Sequence, residues 1–245
     1  MDQRKMRRTI ACLCAGGFLL VLALVVTEHA AGFDDPIRQF FYTLRADGLT
    51  QVLAVLTRLA DKYFLIAVCL ILLILPRTRL SFGVPLSACA LSAVTINSCI
   101  KHLICRPRPE VLHLVVENGY SFPSGHSITS MAFYGLAIWL VWHNVSQPGS
   151  TSVQPGSSAL QLGGSESQPG TPAINHGGLN YDKHVAILLT IILLIPLILV
   201  GPTRIYLGVH FPTDVLGGWC LGGFLVFVWI EIIKAYERRR KNQGI

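Results

Sequence analysis

"YSFPSGHSIT", Tyr120–Thr129, stands where a charged loop gives way to a long apolar run. Pro123 suits the first turn of a helix, where its missing N–H costs nothing. Ser124 and Gly125 are then expected to present free backbone N–H groups at the positive end of the helix dipole. A helix start of this kind binds anions. Taken alone, Pro123–His126 reads equally as a turn followed by a cap, so its meaning depends on what the rest of the chain brings to the same place.

The run behind it, Ser127–Trp142, leads into a bilayer, and it has company. A bilayer core asks for about 20 apolar residues per helix. Thr9–Thr27, Leu80–Ile100, Val185–Val200 and Val215–Ile233 qualify when their ends enter the interface. Tyr63–Leu75 is shorter, and becomes a crossing if Leu59–Lys62 reach up through the headgroups. The expectation is an all-α integral membrane protein of six transmembrane helices, one domain over residues 1–245. Composition agrees: 52% of residues are hydrophobic, 13% are charged, and the mean hydropathy is +0.54. Globular chains carry roughly 25% charged residues. A soluble fold this poor in charge cannot cover its own surface.

The net charge of +7 raises the thought of nucleic acid, but its distribution argues otherwise. Arg4, Lys5, Arg7 and Arg8, then Arg77 and Arg79, then Lys101–Arg108, then Arg238–Lys241 each flank an apolar run. That is the pattern of membrane anchoring or of anionic headgroup binding. With the N-terminus inside and six crossings, the first, second and last clusters fall in the cytoplasm. Glu28–Lys62, Lys101–His126 and Pro202–Asp214 then lie outside, and Lys101–Arg108 is a basic group on the wrong side, which an anionic ligand explains. The first apolar run is too long and uniform for a cleaved signal and reads as a retained anchor. Asp34-Asp35-Pro36 reads as the start of an interfacial amphipathic helix, with an acidic cap and Ile37, Phe40, Phe41 and Leu44 on one face.

Seven cysteines, an odd number set mostly within apolar runs, argue against a disulfide framework and read as small apolar filler. The stretch 144–181 is rich in Ser, Gly, Pro and Gln and repeats a "QPGS" theme. It lacks the apolar content to fold and reads as a low-complexity flexible loop.

Two further patches share the outer face with the opening stretch. In "KHLICRPRP", Lys101–Pro109, prolines after Arg106 and Arg108 hold the chain out of helix so that guanidiniums can be aimed. A guanidinium fork suits phosphate because it donates two hydrogen bonds at once. In "TRIYLGVHFPTD", Thr203–Asp214, Arg204, His210 and Asp214 lie between two crossings. If the turn is helical, Asp214 follows His210 by four residues and can bond one imidazole nitrogen, which makes the other more basic. Two crossings separate His126 from His210 and return the chain to the same face. A Lys, at least two Arg, two His, a Ser and an Asp thus converge, with no acidic cluster to neutralise them. Polar groups at that depth are costly unless they serve a function. No metal site is expected, because the surrounding cations would repel a divalent ion.

Lys101-x6-Arg108-Pro109, Pro123-Ser124-Gly125-His126 and Arg204-x5-His210-x3-Asp214 together resemble the three-part signature of the type 2 phosphatidic acid phosphatase superfamily. Thr203 departs from the Ser usual there, keeping a hydroxyl. The resemblance implies a membrane lipid phosphatase with His210 as nucleophile, Asp214 orienting it and His126 as general acid and base. Lys101, Arg108, Ser124, Gly125 and Arg204 are implied to bind phosphate, with no cofactor and no metal. The implied substrate is a lipid phosphate or diphosphate (undecaprenyl pyrophosphate, phosphatidylglycerophosphate or phosphatidate) in the cell membrane, with no nucleic-acid partner and no feature calling for an obligate protein partner. A lipid phosphotransferase using the same phosphohistidine, and a non-enzymatic lipid-binding membrane protein, are the alternatives.

Overall fold

The computed structural model describes residues 3–145 and 181–243, so nearly all of the expected 144–181 loop lies outside the described residues. Every regular element among the described residues is helical. We number them α1 (Gln3–Val26), α2 (Ala31–Thr43), α3 (Asp47–Thr57), α4 (Lys62–Ile74), α5 (Pro76–Ile104), α6 (Gly125–Val145), α7 (Lys183–Tyr206) and α8 (Pro212–Asn242).

Five of them, α1 and α5 to α8, are long and apolar enough to cross a membrane. The expected sixth, α4, has 13 residues. At 1.5 Å per residue it spans about 20 Å, against a hydrocarbon core of about 30 Å. It cannot start earlier because Asp61 turns extended and caps it, its carboxylate accepting the Tyr63 N–H at 2.8 Å.

The helices are packed outward-greasy. Leu13, Leu19 and Leu20 of α1, Ile66, Ile71 and Ile74 of α4, Leu91 of α5, and Leu188, Ile191 and Ile195 of α7 are exposed. Water makes that arrangement costly and hydrocarbon makes it neutral, so the solvent of this surface is lipid. Within the bundle, α6 is the central helix: 56% of its apolar window is buried, against 11% for α1. It packs on α5, α7 and α8, and α8 packs in turn on α1. The α6–α8 contact is close because α8 carries glycine there. A Cβ on Gly218 would meet Ser127 Cβ at 2.7 Å and Ser124 O at 2.9 Å.

The C-terminal ends of α5 and α7 and the N-terminal ends of α6 and α8 meet at one end of the bundle, where α2 and α3 lie against α7. The two termini gather at the other end, tied by an Arg7–Glu231 pair at 3.0 Å, with His143 bonded to Glu237 beside them at 2.7 Å. All seven cysteines are free thiols, as their placement suggests.

Two local expectations are corrected. α2 starts at Ala31 on the carbonyl of Ala30, so Asp34 lies inside its first turn and does not cap it. Pro123 lies two residues ahead of α6, joined to Phe122 by a cis peptide bond. Phe33 and Phe40 of α2, and Leu44 just after it, are exposed as an interfacial helix requires, while Phe41 packs inward beside Tyr206 and Leu207.

Candidate active site

The loop between α5 and α6 begins where Cys105 ends α5 in the left-handed region, at φ 53°. Pro107 and Pro109 keep the next residues extended. Arg108 is thereby aimed across the bundle end and fixed by carbonyls: Nε donates to Gly119 O at 3.0 Å, Nη2 to Asn118 O at 3.0 Å, and Nη1 to Val209 O at 2.8 Å. Nη1 also lies 3.4 Å from His210 Nε2.

His210 sits in the short connection between α7 and α8. Gly208 makes that turn with φ +81°, and a Cβ there would meet Leu112 O at 2.9 Å, so any side chain there is strained. The chain at His210 is not helical, yet the expected pairing forms: Nδ1 is 3.3 Å from Asp214 Oδ2. A carboxylate on Nδ1 fixes the proton there and leaves the Nε2 lone pair directed at Arg108. Burial pushes the His210 pKa well below the ordinary imidazole range, and Arg204, Lys101 and Arg108 push it the same way. That direction favours the neutral ring at neutral pH.

Asp214 is buried within the first turn of α8. Its Oδ2 also accepts the Phe211 N–H at 2.9 Å, and its Oδ1 accepts from Arg106 Nη1 at 2.7 Å. An unpaired buried carboxylate costs on the order of several kcal/mol, and these contacts offset that cost. Arg204, on the last turn of α7, is 1% exposed and donates to Thr57 Oγ1 at 3.3 Å and to Glu117. Its Nε has no partner.

Ser124 is buried and its hydroxyl has no partner. Its N–H, expected to be free, instead donates to Asp214 O at 3.0 Å. That bond ties the start of α6 to the start of α8. The donors left at the α6 N-terminus are those of Gly125, His126 and Ser127, which have no carbonyl one turn back within the helix. His126 stands within electrostatic reach of Arg204, His210, Arg108 and Lys101. Lys101 Nζ reaches the carbonyls of Tyr120 and, at 3.4 Å, Ser121. Thr203 turns its hydroxyl back to Leu199 O at 2.8 Å, away from the site.

All eight residues singled out in the sequence thus gather at one bundle end. No acidic cluster was expected among the cations, and one further carboxylate does reach them. Glu117 bonds Arg204 with one carboxylate oxygen and lies 3.6 Å from Arg108 Nη2 with the other. Arg106 is also drawn away, bridging Asp214 and the buried Asp34 of α2. Sequence reasoning missed Asp34 and Glu117. The one available signal was charge balance, since so many buried cations need acids nearby. Among the described residues, no three His, Cys, Asp or Glu side chains converge as metal ligands.

Comparison with known proteins bears on this arrangement. The profile of the PAP2 superfamily matches residues 82–238. The chain is 28% identical over 232 residues to phosphatidylglycerophosphatase B of Bacillus subtilis, covering 92% of this chain and 93% of that protein. It is 23% identical over 219 residues to an undecaprenyl-diphosphatase of Sulfolobus acidocaldarius, covering 87% and 84%. The crystal structure of a transmembrane PAP2-type phosphatidylglycerolphosphate phosphatase from Bacillus subtilis superposes with a TM-score of 0.66 at 25% identity, covering 91% of this chain and 96% of the other.

Proposed function

Since the chain belongs to the PAP2 superfamily, we propose that it is a membrane lipid phosphatase that hydrolyses a lipid phosphomonoester or diphosphate through a phosphohistidine. The observation that carries this reading is the pairing of a neutral His210, its Nε2 3.4 Å from Arg108 Nη1, with two buried donors left without partners, Ser124 Oγ and Arg204 Nε.

In this reading the phosphoryl group displaces Glu117 from Arg204 and Arg108. His210 Nε2 attacks phosphorus as the bond to the leaving oxygen breaks, and His126 delivers a proton to that oxygen. Asp214 holds the Nδ1 proton and balances the charge that the ring gains. Lys101, Arg108, Arg204, the Ser124 hydroxyl and the Gly125 N–H stabilise the equatorial oxygens. Water then attacks phosphorus, His126 takes its proton, the N–P bond breaks, and phosphate leaves. The cations supply the charge stabilisation that a metal gives elsewhere, so the reaction is metal-independent.

The whole chain acts as one domain. α4 with its following turn serves as a short sixth pass, placing both termini in the cytoplasm and the site on the outer face.

The test is phosphate release by the purified protein in excess EDTA from undecaprenyl diphosphate, phosphatidylglycerophosphate and phosphatidate, with vanadate as inhibitor. At least one lipid should be hydrolysed, vanadate should inhibit, and His210→Ala should abolish turnover without loss of fold. Release from none of the three, strict dependence on added Mg²⁺ or Zn²⁺, or a His210→Ala rate above a tenth of wild type overturns the reading.

A further inference from the structure

Arg106 and Asp34 belong to none of the three motif positions, and Asp34 lies outside the 82–238 segment that the family profile matches. Asp34 is nonetheless completely buried, on an otherwise interfacial helix. Its Oδ1 accepts the backbone N–H of Thr213 at 2.8 Å, and its Oδ2 accepts from Thr213 Oγ1 and from Arg106 Nη2, both at 2.8 Å. The residue that precedes α8 is Phe211, whose side chain has no oxygen to cap a helix. Asp34 therefore caps α8 from another helix.

Arg106 is held on every side. Its guanidinium lies 3.9 Å from the centre of the Phe211 ring, Nη1 donates to Thr213 Oγ1 at 2.8 Å and to Asp214 Oδ1 at 2.7 Å, and Nη2 goes to Asp34. The division of labour on Asp214 follows. Arg106 occupies Oδ1, so the carboxylate cannot rotate, and Oδ2 is left to His210 and the Phe211 N–H.

We propose that Arg106 and Asp34 are positioning residues for the reaction: Arg106 locks the Asp214 carboxylate toward His210, and Asp34 holds Arg106 and shares its positive charge. The proposal rests on the phosphohistidine reading above. Asp34 matters electrostatically as well as sterically. A guanidinium facing one carboxylate draws that carboxylate's charge wholly to itself; facing two, it leaves Asp214 a stronger partner for the imidazole. Neither residue touches the cations that bind phosphate, so their loss should spare anion binding and slow chemistry.

The experiment compares Asp34→Asn, Arg106→Gln, Arg106→Lys and His210→Ala with wild type, on whichever of the three lipids wild type hydrolyses fastest. Asp34→Asn keeps an oxygen for the Thr213 N–H while removing the charge, which separates capping from electrostatics. Each variant is read for kcat, KM, vanadate inhibition constant and thermal midpoint. We expect kcat to fall about a hundredfold in Arg106→Gln, as loss of orientation alone can produce, and about tenfold in Asp34→Asn. KM and vanadate inhibition should stay within about twofold of wild type, and Arg106→Lys should recover part of the lost kcat. Wild-type kcat in Arg106→Gln and Asp34→Asn, or a fall in kcat matched by lost vanadate inhibition, overturns the proposal. His210→Ala separates the two readings: its inactivity beside fully active Arg106→Gln defeats this inference alone, whereas its activity defeats the phosphohistidine itself.

Discussion

His210 is buried among cations, and that environment couples its protonation to folding. Its pKa in the folded protein lies well below that of the unfolded chain, near 6.5 for a free imidazole. Above about pH 6.5 neither state holds the proton and the group is indifferent to pH. As pH falls below that value the unfolded chain binds a proton that the native site refuses, so stability drops until the native pKa is reached. The thermal midpoint should therefore fall between pH 7 and pH 5 more steeply in wild type than in His210→Asn. Equal slopes in the two proteins count against a neutral buried imidazole. Among the candidate site residues, Arg108, Ser124 and Gly125 were legible because each belongs to a local backbone device: Pro109 follows Arg108, and Ser124 and Gly125 open a helix. Glu117 and Asp34 carry no such mark. Their partners are 87 residues away at Arg204 and 179 away at Thr213, and no local pattern encodes that distance.

Among the elements, the long apolar helices were read nearly to their ends, because a bilayer demands long uninterrupted runs. Ser127–Trp142 became Gly125–Val145, and Val185–Val200 became Lys183–Tyr206. α2 was misread at its start because Asp-Asp-Pro looks like a cap, whereas Asp34 is used by α8. How closely α6 and α8 approach was not legible, since a glycine in an apolar run looks like any small residue. That contact sets the distance between Ser124 and Asp214. Gly218→Ala must push the helices apart, and overpacking of this kind costs roughly 1–3 kcal/mol. We expect a lower thermal midpoint together with a loss of kcat. Gly16→Ala on α1, where a Cβ meets nothing within 4 Å, is the matched control and should be neutral or slightly stabilising. Identical behaviour of the two variants disproves the close-contact account.

At the scale of the molecule, the described helices bring the Arg4–Arg8 and Arg238–Lys241 clusters to the end opposite the site, as Arg7–Glu231 attests. Composition made the membrane class plain, but sidedness rests on the cation bias alone. Cysteine labelling tests it. In a background with the seven native cysteines replaced, Asn118→Cys should react with a membrane-impermeant maleimide in intact cells, and Ser157→Cys should react only after permeabilisation. The opposite pattern puts the site in the cytoplasm.

The Glu117 carboxylate, resting on Arg204 and Arg108, acts as a built-in rival to every other anion. A group tethered to its own binding partners competes at an effective concentration of about millimolar for a short flexible link. In the proposed site, dissolved phosphate below that level finds its place already taken. A lipid headgroup arrives differently, crowded into a two-dimensional sheet against the mouth of the site, where Val116, beside Glu117 in the loop, is 91% exposed. On the proposed phosphatase reading, the same carboxylate discriminates by dimensionality, turning away ligands that come from bulk water and yielding to those delivered by the surface.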